Sequence, residues 1–238
     1  MYIESLIITL LSGISFFIGY IISKFMGNSK KILTFAVGFA FSIILGLALT
    51  ELLPECIELL ENKIIMIISM LSGIIILKLL DKFIPDHDHH SKEKNHMNHI
   101  GIISFVALLL HNIIEGSAIY TTSLNDLKVG LFMALGVSFH NIPLGIQITS
   151  LINNKKEKII YITLLVISSL IGPFILEIFN IELTNMINGI LISITFGMLI
   201  YISLFELLCE VKENIKNKNL IIGILLGLVF ILLGHLIH

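Results

Sequence analysis

Residues 100–123 read IGIISFVALLLHNIIEGSAIYTTS, and Glu115 is the only one of them with a formal charge at neutral pH. A helix needs about 20 predominantly apolar residues to cross the hydrocarbon core of a bilayer. The stretch is long enough to do so, and it carries His111 and Glu115 near its centre. It therefore predicts a membrane-spanning helix with ionisable side chains inside the membrane.

The composition of the chain extends this prediction to all 238 residues. Apolar residues make up 56% of the chain and charged residues 13%, with a mean hydropathy of +0.99, whereas soluble domains contain about 25% charged residues. The chain is therefore expected to be an integral membrane protein without a separate soluble enzyme domain. A net charge of −2 and the lack of a basic block argue against nucleic acid as a partner.

Charged residues divide the chain into eight long apolar segments. Inside hydrocarbon, each segment must satisfy its own backbone N–H and C=O groups, so all eight are predicted to be helices. The expected fold is all-α, a single transmembrane domain over residues 1–238. The predicted spans are 3–23, 32–52, 63–83, 100–123, 128–152, 159–179, 183–208 and 219–237.

The lysines predict the orientation of these spans. All 15 basic residues are lysine, and thirteen of them fall on one side when successive connections are assigned to alternate faces, leaving only Lys63 and Lys128 on the other. The positive-inside rule makes the lysine-rich side cytoplasmic. Both termini are then extracytoplasmic, and the connection 85–99 is cytoplasmic.

Two short sequences are repeated on spans of opposite direction. The second span ends in ELLPE (51–55) and the seventh in ELLCE (206–210), while the fourth carries HNIIEG (111–116) and the fifth HNIPLG (140–145). Similar sequences in opposite orientation are typical of the inverted repeats of transporters.

His111, Glu115 and His140 are ionisable residues predicted to lie inside the membrane, where they cost at least about 2.5–3.5 kcal/mol and usually serve a function. A four-residue step on a helix separates side chains by about 40° and about 6 Å, so His111 and Glu115 point the same way. Two imidazoles and a carboxylate suit Zn²⁺, and also Fe²⁺, Mn²⁺ or Co²⁺. Asn112 and Asn141 could add carbonyl oxygens. The alternative is that these side chains only form hydrogen bonds within and between helices.

The paired HN motifs, the eight spans, the ELLPE sequence and a His-bearing connection between spans three and four resemble the ZIP family of divalent metal transporters. The resemblance covers essentially the whole chain. It implies import of Zn²⁺ or a related ion toward the cytoplasm, no catalytic cofactor, and a fold compatible with a homodimer. It also implies a 3+2+3 inverted-repeat bundle, in which spans one, four, five and six move against the other four.

Two positions depart from the family pattern. Family members usually place Glu at the fifth position of the span-five motif, where this chain has Leu144, and many carry Glu before the proline of span six, where this chain has Gly172. Both substitutions remove carboxylates. We therefore expect a single-metal site on His111, Glu115 and His140. Its one carboxylate leaves a bound divalent ion with net positive charge, which favours weaker binding or fast release.

Further candidate residues lie toward the membrane faces. Glu51 and Glu206 occupy matched positions near the ends of spans two and seven, where they could attract cations to the two mouths or be ordinary interfacial carboxylates. The connection 85–99 is rich in histidine and could hold metal ions loosely, or be only a hydrophilic linker. Its histidines are His87, His89, His90, His96 and His99.

Three functions agree with these features. The first is a divalent metal transporter of the plasma membrane, which the inverted repeats favour. The second is a membrane-embedded zinc hydrolase, which lacks an HExxH motif and would need Glu115 to be ligand and base at once. The third is a metal sensor that does not transport, in keeping with Leu144 and Gly172. The sequence favours the transporter, which is not an enzyme.

Overall fold

The computed structural model describes residues 2–26, 30–83, 92–152 and 154–237. Over these ranges the chain forms eight helices, and none of the described residues lies in a strand. Two of the helices, α2 and α7, contain a short π-helical segment between two α-helical ones. In chain order the helices are α1 (Tyr2–Met26), α2 (Lys30–Leu47, Ala48–Leu52 and Leu53–Leu59), α3 (Lys63–Phe83), α4 (Lys92–Asn125), α5 (Leu127–Leu151), α6 (Lys155–Phe179), α7 (Asn185–Tyr201, Ile202–Leu207 and Leu208–Glu213) and α8 (Lys218–Ile237).

The surface and the interior show the polarity expected of a protein surrounded by lipid. Six helices are long and apolar enough to cross a membrane over their described residues, and α8 contains a shorter apolar helix, Lys218–Leu233. Large apolar side chains such as Ile68, Phe132 and Phe179 are exposed, whereas Asn141 and Gln147 are fully buried. The all-α membrane fold that the sequence predicts is therefore confirmed, and the chain is a multi-pass membrane protein.

Polar residues define several helix ends. The side chain of Asp126 accepts hydrogen bonds from the backbone N–H groups of Lys128 (2.8 Å) and Val129 (3.2 Å), which caps the start of α5. Thr184 caps α7 in the same way, and Asn180 ends α6 in the left-handed conformation, at φ 49°. Because these connections are short, consecutive helices run in opposite directions.

Helices α2 and α4 extend furthest beyond the predicted spans. Helix α2 continues past residue 52 to Leu59, and Pro54 lies in the first turn of its last α-helical segment, Leu53–Leu59. Helix α4 begins at Lys92, so residues 92–99 of the predicted loop 85–99 are helical.

The helix pairing follows an inverted repeat. The most extensive contacts join α1 to α5, α4 to α6, α2 to α8 and α3 to α7. The two repeats correspond when α1 is matched with α6, α2 with α7, α3 with α8 and α4 with α5. Under this matching, the α1–α5 pair corresponds to the α6–α4 pair, and the α2–α8 pair corresponds to the α7–α3 pair. This is the pairing of two inverted three-helix repeats around α4 and α5, the predicted 3+2+3 arrangement. Helices α1, α4, α5 and α6 pack on one another as the central group, and α2, α3, α7 and α8 form the flanking group.

Reciprocal glycines allow these helix pairs to approach closely. In the α4–α6 pair, a Cβ atom on Gly116 would overlap the backbone of Ser169, and one on Gly172 would overlap the backbone of Ile113. Small residues that bring backbones together are a main source of helix association in membranes. The corresponding glycines are Gly19 and Gly145 between α1 and α5, Gly38 and Gly223 between α2 and α8, and Gly73 and Gly197 between α3 and α7.

The two π-helical segments occupy matching places in the two repeats. Ala48–Leu52 in α2 contains Glu51, and Ile202–Leu207 in α7 contains Glu206. Short π-helical turns are frequent at functional sites. The glutamate of each repeated ELL sequence, Glu51 or Glu206, therefore lies within a π-helical segment.

Candidate metal centre

His111 and Glu115 of α4 meet His140 of α5 at the interface between these two central helices. Glu115 Oε1 lies 2.9 Å from His140 Nε2 and 3.4 Å from His111 Nε2. One ligand atom from each residue lies within 4.8 Å of the others, and within the described residues no second group of His, Cys, Asp and Glu side chains has this geometry. The structure thus brings together the three residues that the sequence selected for a single-metal site. We call them the metal centre.

The polar atoms of the metal centre are enclosed and incompletely satisfied. The side chains of His111, Glu115 and His140 are only 3%, 12% and 11% exposed. Among the described residues, the buried atoms His111 Nε2, Glu115 Oε2 and His140 Nδ1 have no aligned hydrogen-bond partner. An unsatisfied buried polar group costs about 1–3 kcal/mol. A cation bound between the imidazoles and the carboxylate would remove part of this cost, so these residues fit a divalent metal ion.

Glu51 is part of the same cluster, although the sequence predicted it near the outer mouth. Its Oε2 atom lies 3.1 Å from His140 Nδ1, close enough for an ion pair but not aligned as a hydrogen bond. The imidazole of His140 therefore lies between two carboxylates, Glu51 on one ring nitrogen and Glu115 on the other. This contact also joins the flanking group, which holds Glu51, to the central group.

The side-chain amides of Asn112 and Asn141 are directed toward neighbouring helices. The Nδ2 group of Asn112 donates to the backbone oxygen of Leu165 (2.6 Å) and to Ser168 Oγ (2.9 Å) on α6. Asn141 donates to the backbone oxygen of Ser12 on α1, at 3.3 Å. These bonds fix α4 on α6 and α5 on α1 through the amide nitrogens. Among the described residues, the side-chain oxygen of Asn141 is buried without a hydrogen-bond partner.

A cavity of about 760 Å³ leads to the metal centre. Glu51, Glu115 and both histidines line it, and so do residues at helix ends, such as Glu58 near the end of α2 and Val129 near the start of α5. The cavity therefore opens toward the side of the bundle that holds the connections 60–62, 126 and 180–184. We call that side the cavity face and the other side the opposite face.

The structure shows what surrounds the two positions at which this chain departs from the family pattern. A Cβ atom on Gly172 would overlap the backbone oxygen of Ile113 and the Oγ atom of Ser117, so the α4–α6 contact leaves no space for a glutamate. Leu144 is fully buried within the apolar core. Both positions therefore contribute packing to the bundle.

The remaining candidate residues do not join the metal centre. Glu206 is half-buried in the π-helical segment of α7. His99 is half-buried in α4, three turns before His111. His87, His89 and His90, and the side chain of His96, lie outside the described residues. The contact of Glu51 with His140 is the feature that sequence reasoning missed; the repeated ELL sequence singled out Glu51 without indicating its partner.

Comparisons with known proteins define the class of this chain. A sequence model of the ZIP zinc transporter family matches residues 1–101 and 85–237. The zinc transporter ZupT of Enterobacter sp. (strain 638) is 30% identical over 237 residues, which cover 94% of this chain and 92% of that protein. The ZupT zinc transporters of Chlorobium chlorochromatii and Clostridium perfringens are 26% and 27% identical, covering 97% and 94% of this chain and 96% and 92% of those proteins.

A bundle of membrane helices with a His/Glu centre at a cavity agrees with a membrane transport protein for metal ions. The chain belongs to the ZIP zinc transporter family. The resemblance read from the HN motifs is thereby confirmed, and so is the expectation that the chain is a transporter and not an enzyme.

Proposed function

We propose that this protein carries Zn²⁺ across the plasma membrane into the cytoplasm, through one metal-binding site between α4 and α5. The observation that carries the proposal is the convergence of His111, Glu115 and His140 at the inner end of a cavity that opens to one face. Family membership supports zinc as the substrate. Fe²⁺, Mn²⁺ and Co²⁺ suit the same donor set and are the competitors to test.

Two of the three distances between donor atoms are already close to those of a zinc site, and the third lies within 4.8 Å. Zinc bonds of about 2.0–2.1 Å in a tetrahedral site place neighbouring ligand atoms about 3.3 Å apart. Glu115 Oε1 is 2.9 Å from His140 Nε2 and 3.4 Å from His111 Nε2, so the ion would replace the His140–Glu115 hydrogen bond. Water from the cavity supplies the fourth ligand, and the oxygens of Asn112 or Asn141 are the alternative that the sequence suggests.

Glu51 supports the centre without replacing a ligand. When Nε2 of an imidazole binds a metal, a carboxylate that accepts a hydrogen bond from Nδ1 orients the ring and raises its basicity. Glu51 is placed to take this role toward His140. It also brings a second negative charge close to a divalent ion, which partly offsets the carboxylate lost at Leu144.

The cavity and the lysines together support the direction of transport. The cavity opens to the face that carries Lys63 and Lys128, whereas the other thirteen lysines are assigned to the opposite face. The positive-inside rule makes that opposite face cytoplasmic and both termini extracytoplasmic. The structure then corresponds to an outward-open state that receives the ion from outside. A homodimer, which the family resemblance allows, stays a prediction.

The helix grouping supports a mechanism of alternating access. All three ligands belong to the central group and Glu51 to the flanking group, so movement of α1, α4, α5 and α6 would carry the ion away from Glu51. The bound ion would lose the nearby carboxylate as its site turns toward the cytoplasm. Loss of that charge weakens binding on the side where release must occur.

The test is uptake of Zn²⁺ into proteoliposomes, followed with a trapped dye, for the wild-type protein and for His111→Ala. Wild-type flux that is lost in His111→Ala is the expected result. Ser117→Ala is the matched control, because it removes another buried polar group of α4 whose hydroxyl bonds only to the backbone of its own helix. Zn²⁺ binding without flux in a correctly inserted wild-type protein would instead identify a sensor.

A further inference from the structure

The α4–α5 interface continues beyond the metal centre toward the opposite face. Gly101 of α4 lies against Leu151 and Ile152 of α5, while the rings of His111 and His140 have centroids 6.0 Å apart. These two contacts show that α4 and α5 face each other along this whole length.

Ser104 and Gln147 lie between those contacts. Each is seven residues from a metal-centre histidine, Ser104 before His111 and Gln147 after His140. Seven residues are nearly two helical turns, so each side chain shares the face of its histidine about 10 Å further along the helix. Because α4 and α5 are antiparallel, both displacements lead toward the opposite face. Ser104 and Gln147 therefore occupy the same level of the interface.

Both side chains are fully buried, and their polar atoms have no partner within the part of the chain that the structure describes. Among those residues, neither Oε1 nor Nε2 of Gln147 has a hydrogen bond, and neither does Oγ of Ser104. Ser117 of α4 and Ser138 of α5, by contrast, donate to backbone oxygens of their own helices. Most buried polar groups are satisfied. Two unsatisfied side chains at one level of one interface therefore indicate a polar ligand that binds there.

An apolar layer separates this pair from the metal centre. Leu108 precedes His111 by three residues and Leu144 follows His140 by four, and both are fully buried. The layer closes the metal centre on the side away from the cavity. An ion that leaves His111, Glu115 and His140 toward the opposite face has to pass these leucines before it meets another polar side chain of the interface.

We propose that Ser104 Oγ and Gln147 Oε1 form an inner station, a transient second binding site for the partly hydrated divalent cation. This proposal rests on the proposed transport function. Hydroxyl and amide oxygens are hard ligands that accept divalent cations together with their water molecules. Because both are neutral, they hold the ion less firmly than Glu115 and the histidines do. A site on a conduction route has to be weak enough to release the ion.

The first test is Gln147→Met, which keeps the length of the side chain and removes its amide. Zn²⁺ uptake into proteoliposomes should fall about five- to tenfold, since one ligand interaction is lost on the route. The affinity for Zn²⁺ at the metal centre, measured by titration calorimetry in detergent, should stay at the wild-type value. Thr149→Val is the control, because it removes a buried hydroxyl of the same helix that bonds to Ser23 Oγ, away from this face.

A second variant gives a signature that does not depend on flux. Gln147→Glu places a charged oxygen ligand at the inner station, so the ion should be trapped there and the stoichiometry of bound Zn²⁺ should rise from one to two. Ser104→Ala should lower uptake in the same direction as Gln147→Met.

The outcomes separate the inner station from the transport function. Wild-type flux in Gln147→Met, or unchanged stoichiometry in a folded Gln147→Glu protein, would overturn the inner station while leaving transport intact. Weakened binding at the metal centre in Gln147→Met would also overturn it, because the residue would then act through packing. A wild-type protein without flux would overturn the proposed function itself, and the inner station with it.

Discussion

The two HN motifs occupy equivalent places in the inverted repeat, yet they contribute different groups to the metal centre. In both motifs the histidine faces the α4–α5 interface, and the asparagine donates to the central-group helix packed alongside, Asn112 to α6 and Asn141 to α1. The motifs differ at the fifth position, which is Glu115 in α4 and Leu144 in α5.

The comparison shows that some residues of the motif pack the helices together, whereas others supply groups to the metal centre. The asparagine and the glycine of each motif meet the partner helix, and these contacts follow the symmetry of the repeat. The carboxylate is present on one side only, so the centre is asymmetric. Glu51 of α2 lies on the carboxylate-poor side, against His140. A residue outside the motif thus supplies charge where the motif has lost it.

The largest effect is expected from Glu115→Gln, which removes the only carboxylate of the metal centre while keeping its shape. Zn²⁺ uptake should fall by about 100-fold or more, because the ion loses its one charged ligand. Initial uptake rates in proteoliposomes measure this. Glu182→Gln, an exposed residue of the connection 180–184, is the charge-matched control. Uptake near the wild-type rate in Glu115→Gln would place the ion elsewhere.

Leu144→Glu would make the two motifs alike at the fifth position. Without metal, a carboxylate buried at this site costs several kcal/mol, so the midpoint of thermal unfolding should fall. Zn²⁺ should restore more stability than it gives the wild-type protein, because the new carboxylate lies one turn from His140 and can bind the ion. Thermal unfolding curves recorded with and without Zn²⁺ measure how much stability the ion restores. Leu144→Gln, of the same size but uncharged, should show a smaller gain, and equal gains would contradict the expectation.

Glu51→Gln tests whether the flanking group compensates for Leu144. The affinity for Zn²⁺ should fall about 10- to 100-fold, as it does when a carboxylate that supports a metal-bound histidine is removed. Glu58→Gln is the control, because Glu58 lines the same cavity near the end of α2 and is expected to leave the affinity nearly unchanged. If the two variants behave alike, Glu51 acts only through the general charge of the cavity.

The smallest effects are expected from the asparagines. Asn112→Leu removes two hydrogen bonds to α6 and should lower the free energy of unfolding by about 1–2 kcal/mol, whereas Asn141→Leu removes one longer bond and should cost less. Unfolding by denaturant in micelles measures the difference. A loss of Zn²⁺ affinity at unchanged stability would show that the asparagines are ligands, as the sequence analysis allowed.

The membrane fold could be predicted because bilayer physics acts locally on the chain. Each span must be long, apolar and internally hydrogen-bonded, and residues 100–123 display all of this in one stretch. The grouping of His111 with Glu115 was predictable for the same reason, since residues four apart on a helix lie on one face. The repeated HN motifs then indicated that His140 belongs with them.

The bond partners of the polar residues could not be predicted from spacing. Glu51 is 89 residues from His140, and nothing in the ELLPE sequence shows that a π-helical turn places its glutamate against that imidazole. Asn112 follows His111 directly, yet its amide bonds to α6, because adjacent residues on a helix point about 100° apart. Such contacts depend on which helix lies alongside.

The sequence by itself determined that this protein lies in a membrane, forms eight helices, repeats in inverted orientation and carries imidazole and carboxylate inside the bilayer, because length, polarity and helical period are properties of short segments. Only the tertiary structure decided that Glu51 joins His140, that the asparagines fasten α4 and α5 to their neighbours, and that Gly172 leaves no room for a carboxylate. These features depend on the close approach of helices from distant parts of the chain. The reciprocal glycines permit that approach, and the packing of the whole bundle sets it.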